Sequence, residues 1–283
     1  MTMKKSFKII LLIFVWYFFN SISAEAAGWL SDSYPYRIGL KLTKQTASSS
    51  INYSTVPIEI PINFYNFGIT DLDSSSVRAA MSDGITEIPS QSEEWTDITG
   101  DGKADTCLLI FQIHSSDLND ASETETEYFI YFDLLSSGVK GFPSYSTDIQ
   151  YLSAVKSDTL QNSYLKINIL DTPVVSYILE RSQSSPNLTQ AGTGNNIWRN
   201  EGMYEINENA AWFGLQGDTF WTRSVNTGPV RAVMTGSAIE YGHYVNPPRV
   251  KLTRKWKIYK NYPYFIIDDC AEVVNGQIKT VDY

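Results

Sequence analysis

Val56-Pro57-Ile58-Glu59-Ile60-Pro61-Ile62-Asn63-Phe64 is the stretch on which the fold class turns. Its apolar side chains recur at every second position, so an extended chain gathers Val56, Ile58, Ile60, Ile62 and Phe64 on one face, whereas a helix would scatter them. Pro57 and Pro61 cannot donate to a hydrogen-bond ladder, which places this strand at a sheet edge. Ile38, Leu40 and Leu42 alternate in the same way. The pattern resumes at Leu165, Ile167 and Ile169, then over 174–179, 230–235, 250–259 and 264–268. Tyr128 to Phe132 is apolar without a break, as expected of a central strand covered on both faces. Outside the N-terminal segment no 3.6-residue period is sustained over a helix's length. The fold class is all-β, as two antiparallel β-sandwich domains.

Ser136-Ser137-Gly138 and Gly141-Phe142-Pro143 are breaker clusters that divide the chain. The first sandwich is expected over 28–138 and the second over 148–283. Between Ser182 and Asn226 the sequence is irregular and rich in Asn, Gly and aromatics. Val273-Val274-Asn275-Gly276-Gln277-Ile278 reads as a strand and a turn heading into another strand. The second sandwich is therefore expected to be incomplete, the front of a larger architecture.

The N-terminus has the form of an export signal. Lys4, Lys5 and Lys8 precede an apolar run from Ile9 to Phe19, and Ala24-Glu25-Ala26 is a small-x-small cleavage site. A run of about 11 residues is short of the roughly 20 that span a bilayer. Residues 1–26 thus read as a signal peptide and the mature protein as secreted, periplasmic or extracellular, with no membrane attachment after cleavage. An uncleaved anchor is the alternative. Loss of the segment removes three lysines and one glutamate, taking the net charge from −9 to −11. Such an acidic chain lacks the basic footprint of a nucleic-acid binder. Cys107 and Cys270 are too few for a disulfide framework, and both lie in apolar runs. Two buried free thiols or one long-range bridge satisfy that placement. Asn52-Tyr53-Ser54 and Asn187-Leu188-Thr189 fit the glycosylation triplet.

Four groups of residues bear on chemistry. Asp97-Ile98-Thr99-Gly100-Asp101-Gly102-Lys103-Ala104-Asp105 offers oxygens in the spacing of a Ca²⁺ loop: side chains of Asp97, Thr99, Asp101 and Asp105 and the carbonyl of Lys103. Thr99 stands where such loops usually carry Asp or Asn, and Leu108 where a helical calcium loop carries a bidentate Glu. The alternative is a hairpin turn whose aspartates accept from their own backbone. A second group surrounds Trp198, Trp212 and Trp221, with Asn196 beside them. Aromatic faces stack on sugar rings and amides bind hydroxyls, although large aromatics also fill sandwich cores. The third is Arg249 to Lys260, with six of the chain's 22 basic residues. Alternation sets Lys251, Lys255 and Lys257 on one face, opposite Val250, Leu252, Trp256 and Ile258. That face can hold an anionic sugar or can simply be solvated. Arg254 falls on the apolar side and needs a carboxylate partner if buried. The fourth is His243, in Glu240-Tyr241-Gly242-His243-Tyr244. His243 or Tyr241 can serve as a base beside a sugar carboxylate, with Arg199 neutralising the acid; a loop histidine without a role is the competing reading. No GxSxG, HExxH, phosphate loop or Cys/His zinc cluster occurs.

Pro89-Ser90-Gln91, Asp97 to Asp105, Leu108 to Gln112 and Tyr128 to Phe132 together resemble a β-sandwich module at the front of secreted carbohydrate-active proteins. There a GDGxxD turn leads into an apolar strand and then a Tyr-rich one. Gly228-Pro229-Val230-Arg231-Ala232 and Lys255-Trp256-Lys257-Ile258-Tyr259-Lys260-Asn261-Tyr262-Pro263 resemble the galactose-mutarotase-like super-sandwich of polysaccharide lyases and related hydrolases. The resemblance implies an all-β protein partnered by a polysaccharide, which it binds or helps to degrade. A non-catalytic extracellular adhesion or structural module is the alternative.

Overall fold

A computed structural model describes residues 28–44, 53–119, 123–154, 157–170, 175–180, 204–205, 212–213, 222–241 and 249–275. The chain divides into two compact units, Met1–Ser144 and Tyr145–Tyr283. The first carries β1 (Tyr36–Thr43), β2 (Pro57–Asn63), β3 (Arg78–Met81), β4 (Glu87–Ile88), β5 (Ser90–Thr96), β6 (Thr106–Gln112) and β7 (Glu125–Phe132). The second carries β8 (Gln150–Ala154), β9 (Ser157–Gln161), β10 (Leu165–Leu170), β11 (Val175–Glu180), β12 (Tyr204–Glu205), β13 (Trp212–Phe213), β14 (Thr222–Thr227), β15 (Arg231–Tyr241), β16 (Arg249–Tyr259) and β17 (Phe265–Asn275). Every described strand pair is antiparallel. The only helical pieces among the described residues are short 3₁₀ turns, so the all-β expectation holds.

In the first unit the sheet β1-β7-β3-β4 faces the sheet β2-β6-β5. Their dry faces share one core: Leu40, Leu42, Ile58, Ile60, Leu109, Phe111, Tyr128, Ile130 and Phe132. β2 sits at its sheet's edge, where its prolines leave no ladder donor missing. β7 runs between β1 and β3 and is buried on both faces over its last three residues, as its unbroken apolar run requires. Its outer face is sealed by the segment after residue 28. There the Arg37 guanidinium lies between the rings of Trp29 and Phe129, 4.4 and 4.3 Å from their centroids.

Burial in this unit is not only apolar. Arg78, 5% exposed, donates to the carbonyls of Ser75, Val77 and Gly141. Asp73 accepts from the Lys140 N–H, and Asp133 pairs with Lys140 Nζ at 2.8 Å. Residues 140–141 are thereby tied to the first sandwich. A buried charge needs this degree of satisfaction to be tolerated.

The second unit pairs the sheet β11-β10-β9-β8 with β14-β15-β16-β17. Ile149, Leu160, Leu165, Ile167 and Ile169 pack against Ala232, Met234, Trp256 and Ile258. Buried Asn162 fastens one end. Its Nδ2 donates to the carbonyls of Tyr259 and Tyr262, and its Oδ1 accepts from the N–H groups of Tyr164 and Leu165. β12 and β13 form a separate two-stranded ladder.

Cys107 is buried and Cys270 exposed, both as free thiols, so the expectation of two buried thiols fails at Cys270. The apolar run around Cys270 is a strand with one dry face, and Cys270 stands on the other, opposite Thr253.

The shared core of the first unit makes a direct prediction. Leu109→Ala, at a fully buried position of the central strand β6, should cost about 2–5 kcal/mol of that unit's stability, read as a lowered denaturation midpoint. A loss below about 1 kcal/mol would contradict the packing described.

Candidate functional site

The aspartate-rich turn joins β5 to β6. β5 reaches it through a bulge at Glu93–Thr96, where Glu94 adopts a left-handed φ of 53°. The turn then closes on its own acids. Asp97 Oδ1 accepts from Gly100 N at 2.6 Å and Thr99 Oγ1 at 3.2 Å, and its Oδ2 accepts from Gly102 N at 2.7 Å. Asp101 Oδ1 accepts from Lys103 N, and Asp105 Oδ2 accepts from the N–H groups of Ile98 and Thr99. Gly100 and Gly102 hold φ of 76° and 83°, which is why the turn needs glycine there. Lys103 Nζ reaches outward to Asp71 at 2.8 Å.

All five residues of the expected calcium loop are thus brought into one turn. Their carboxylates engage backbone donors, the arrangement of the hairpin alternative. Among the described residues no three of His, Cys, Asp and Glu form a metal-holding group. The N–H donors, foremost that of Gly102, hold the Asp97 carboxyl below its ordinary 3.8. The hydrogen bond from Lys103 does the same for Asp71.

In the second unit the sheet β14–β17 has two unlike faces. Arg254, Trp256 and Ile258 are buried against the partner sheet, whereas Lys251, Thr253, Lys255 and Lys257 lie on the opposite face. The register sets Ser237, Thr235 and Val233 beside those residues on β15 and Glu272, Cys270, Asp268 and Ile266 beside them on β17. Thr222, Ser224 and Asn226 extend the same face along β14, all exposed. Lys257 Nζ meets Asp268 at 2.7 Å, and Lys251 lies 4.0 Å from Glu272. The face therefore offers hydroxyls, ammonium groups and carboxylates in rows two residues apart.

Arg254 receives the carboxylate that its position demands. Asp269, its direct cross-strand partner, takes Nε and Nη2 in a bidentate pair, both at 2.6 Å. Two inward-facing groups carry no local signature in the sequence. Asp158, 3% exposed at the side chain, pairs with Arg223 of β14 and accepts from the Tyr151 hydroxyl at 2.8 Å. Asn162 binds two turns together as described. Arg223 stands in a strand with only one aliphatic residue, Val225, so nothing in the local pattern announced that its neighbours are buried.

The other expected site residues are placed only in part. Trp212 is in β13, opposite Glu205, and Tyr241 is the last residue of β15, opposite Arg249. Asn196, Trp198, Arg199, Trp221 and His243 lie outside the described residues, as do the signal segment and both glycosylation asparagines, Asn52 and Asn187. His114 lies two residues beyond β6 and hydrogen-bonds Ser116 Oγ through Nδ1 at 2.8 Å.

No known protein-family profile matches the chain, and no curated protein matches it. Among solved structures the chain is similar to a protein in the glycosyl hydrolase family 38 from Enterococcus faecalis. That similarity has a TM-score of 0.41 and 9% identity, and covers 85% of this chain. The chain spans 31% of the length of that protein.

The lowered carboxyls set a pH prediction. A group depressed on folding stabilises above its unfolded value, and that contribution fades as pH falls through the native value. The first unit should therefore lose stability progressively below about pH 4. Asp97→Asn should lower the midpoint at neutral pH and flatten this acid limb, so that parent and variant converge at pH 2.5. An unchanged acid limb, measured by urea midpoints between pH 7 and pH 2.5, would show that the turn's hydrogen bonds do not contribute.

Proposed function

We propose that the protein is a secreted, carbohydrate-associated β-sandwich protein that binds an acidic polysaccharide across the lysine-bearing face of the β14–β17 sheet. The observation carrying this reading is the lysine row of β16. Lys251, Lys255 and Lys257 stand at alternate positions on one face, flanked by the hydroxyls of Thr222, Ser224, Thr235 and Thr253. Ammonium groups complement carboxylates or sulfates at spacings of a sugar chain, and strand hydroxyls exchange water for sugar hydroxyls at little net cost. Asp268 holds Lys257 at 2.7 Å and would accept from sugar hydroxyls in turn.

If the protein also cleaves its ligand, β-elimination at a uronate residue is the reaction its residues support. A base removes the proton next to the sugar carboxylate. The electron pair forms the ring double bond as the glycosidic C–O bond breaks, and the departing oxygen takes up a proton. His243 or Tyr241 is the candidate base and Arg199 the group that neutralises the carboxylate, lowering the cost of the carbanion-like state. The sugar contacts would come from Trp198, Trp212, Trp221 and Asn196. A non-catalytic adhesion or structural module remains the second reading, favoured by the closed, self-satisfied turns of the first unit.

Two measurements test this. The mature protein should retard in gels containing alginate or polygalacturonate, and Lys255→Ala with Lys257→Ala should weaken that binding about tenfold at low salt, with the difference shrinking at 1 M salt. Absence of binding to every acidic polymer sinks the carbohydrate reading. Appearance of the unsaturated-uronate absorbance, lost in His243→Ala, supports the lyase chemistry; binding without it assigns the protein to non-catalytic capture.

Calcium at the 97–105 turn belongs to the same proposal. Thermal unfolding with millimolar Ca²⁺ should then sit above that with chelator, and Asp97→Asn should abolish the difference. Coincident curves would leave the turn to its hydrogen bonds alone.

A further inference from the structure

The turn from β16 into β17 carries exposed aromatics that the fold holds in place. Tyr264 is 65% exposed and Tyr164 is 40% exposed, on two separate turns of the second unit. Exposed tyrosines are ordinarily free to rotate with a flexible loop. Here both turns are bound through the same side chain. Asn162, fully buried, donates to the Tyr262 carbonyl at 2.8 Å and accepts from the Tyr164 N–H at 2.8 Å. Asp148 adds bonds from the N–H groups of Ser163 and Asn261, one from each turn. Lys260 Nζ donates to the Ser146 carbonyl, and Asn261 holds a left-handed φ of 47° that fixes the bend. The rings themselves are braced in series: Tyr259 meets Tyr262 edge-on at 6.2 Å, and Tyr262 meets Tyr264 at 5.4 Å.

Such bracing removes in advance the conformational entropy that a ligand would otherwise have to restrict. Tyr264 also has the parity of Ile266 and Asp268, so it continues the open face of β17 on which Asp268 pairs with Lys257. Along the extended chain Tyr264 stands roughly 13 Å from Asp268, with Ile266 between them. Successive units of one sugar chain could thus meet the two features in turn, a C–H face on the phenol and hydroxyls at the Lys257–Asp268 pair.

We infer that Tyr264, braced by Tyr262 and by the Asn162-bound turns, is a sugar-stacking platform at one end of the polysaccharide-binding face. This rests on the carbohydrate reading and adds to it a contact of a different physical kind. Lysine contacts weaken with salt, whereas ring stacking is dispersive and hydrophobic and does not.

The difference makes the two claims separable. Affinities for alginate and for polygalacturonate would be measured by titration calorimetry at 50 mM and 500 mM salt. Tyr264→Ala should weaken binding about threefold to tenfold at both salt concentrations, and Tyr264→Phe, which keeps the ring, should bind as the parent does. Lys255→Ala with Lys257→Ala should lose affinity chiefly at low salt. Because Tyr264 is exposed, its variants should keep the parent's melting temperature, which is checked in parallel. Parent binding with less than twofold change in Tyr264→Ala overturns the platform and leaves the carbohydrate reading standing. A Tyr264→Ala loss confined to low salt also overturns it. No parent binding to either polymer overturns both.

Discussion

Every strand of the two sandwiches depends on a period-two constraint: one face of each sheet must find another sheet's dry face. With no helix among the described residues to cover a sheet, Leu109 and Phe111 can be buried only against Tyr128 and Ile130, and Trp256 and Ile258 only against Leu160 and Ile167. Each fully buried side chain of this size contributes about 1.5–3 kcal/mol, so a one-residue register slip would exchange the whole gain for exposure. The turns, bulges and charges described above are arrangements compatible with that register.

The charges that enter the dry faces are held by partners fixed in the same register. Arg254 lies directly across from Asp269, and Gly236 stands between Arg254 and Arg223 in adjacent strands. Arg223 in turn meets Asp158 from the opposite sheet. One cross-strand row thus sets two ion pairs beside the apolar core of the second unit, without leaving either guanidinium to face hydrocarbon alone. Ion pairs of this kind add little net stability over apolar packing, but they penalise any other alignment of the strands.

How far the sequence could be read follows from where each strand keeps its apolar residues. β2, β6, β7 and β16 were legible because alternation or an unbroken apolar run declares them, and Arg254 was legible as a residue in need of a carboxylate. β5 was not: its buried positions are Ser90 and Glu93, which look like loop residues until a sheet encloses them. β14, with Val225 as its single aliphatic, was hidden in the same way, as were the short strands β8 and β9. The aspartate turn was visible as five residues in the right spacing, but its hydrogen bonds were not, because a spacing does not distinguish carboxylates aimed at an ion from carboxylates aimed at their own backbone. Asn162 was invisible altogether. Its partners are the nearby Tyr164 and Leu165 and the distant Tyr259 and Tyr262, and no local pattern encodes a contact across about a hundred residues.

The unequal surroundings of the two cysteines give the molecule a built-in reporter. Burial pushes the Cys107 thiol up to about 12, so almost none of it is thiolate at neutral pH and it is shielded from reagents as well. Cys270 is exposed on the open face, one strand over from Thr253 and between Asp268 and Glu272. A thiol-directed fluorophore would therefore attach at a single place in the folded protein, in the middle of the lysine-bearing surface. Occupancy of that surface becomes an optical signal without any engineered mutation, and unfolding of the first unit announces itself separately as a second thiol coming into reach.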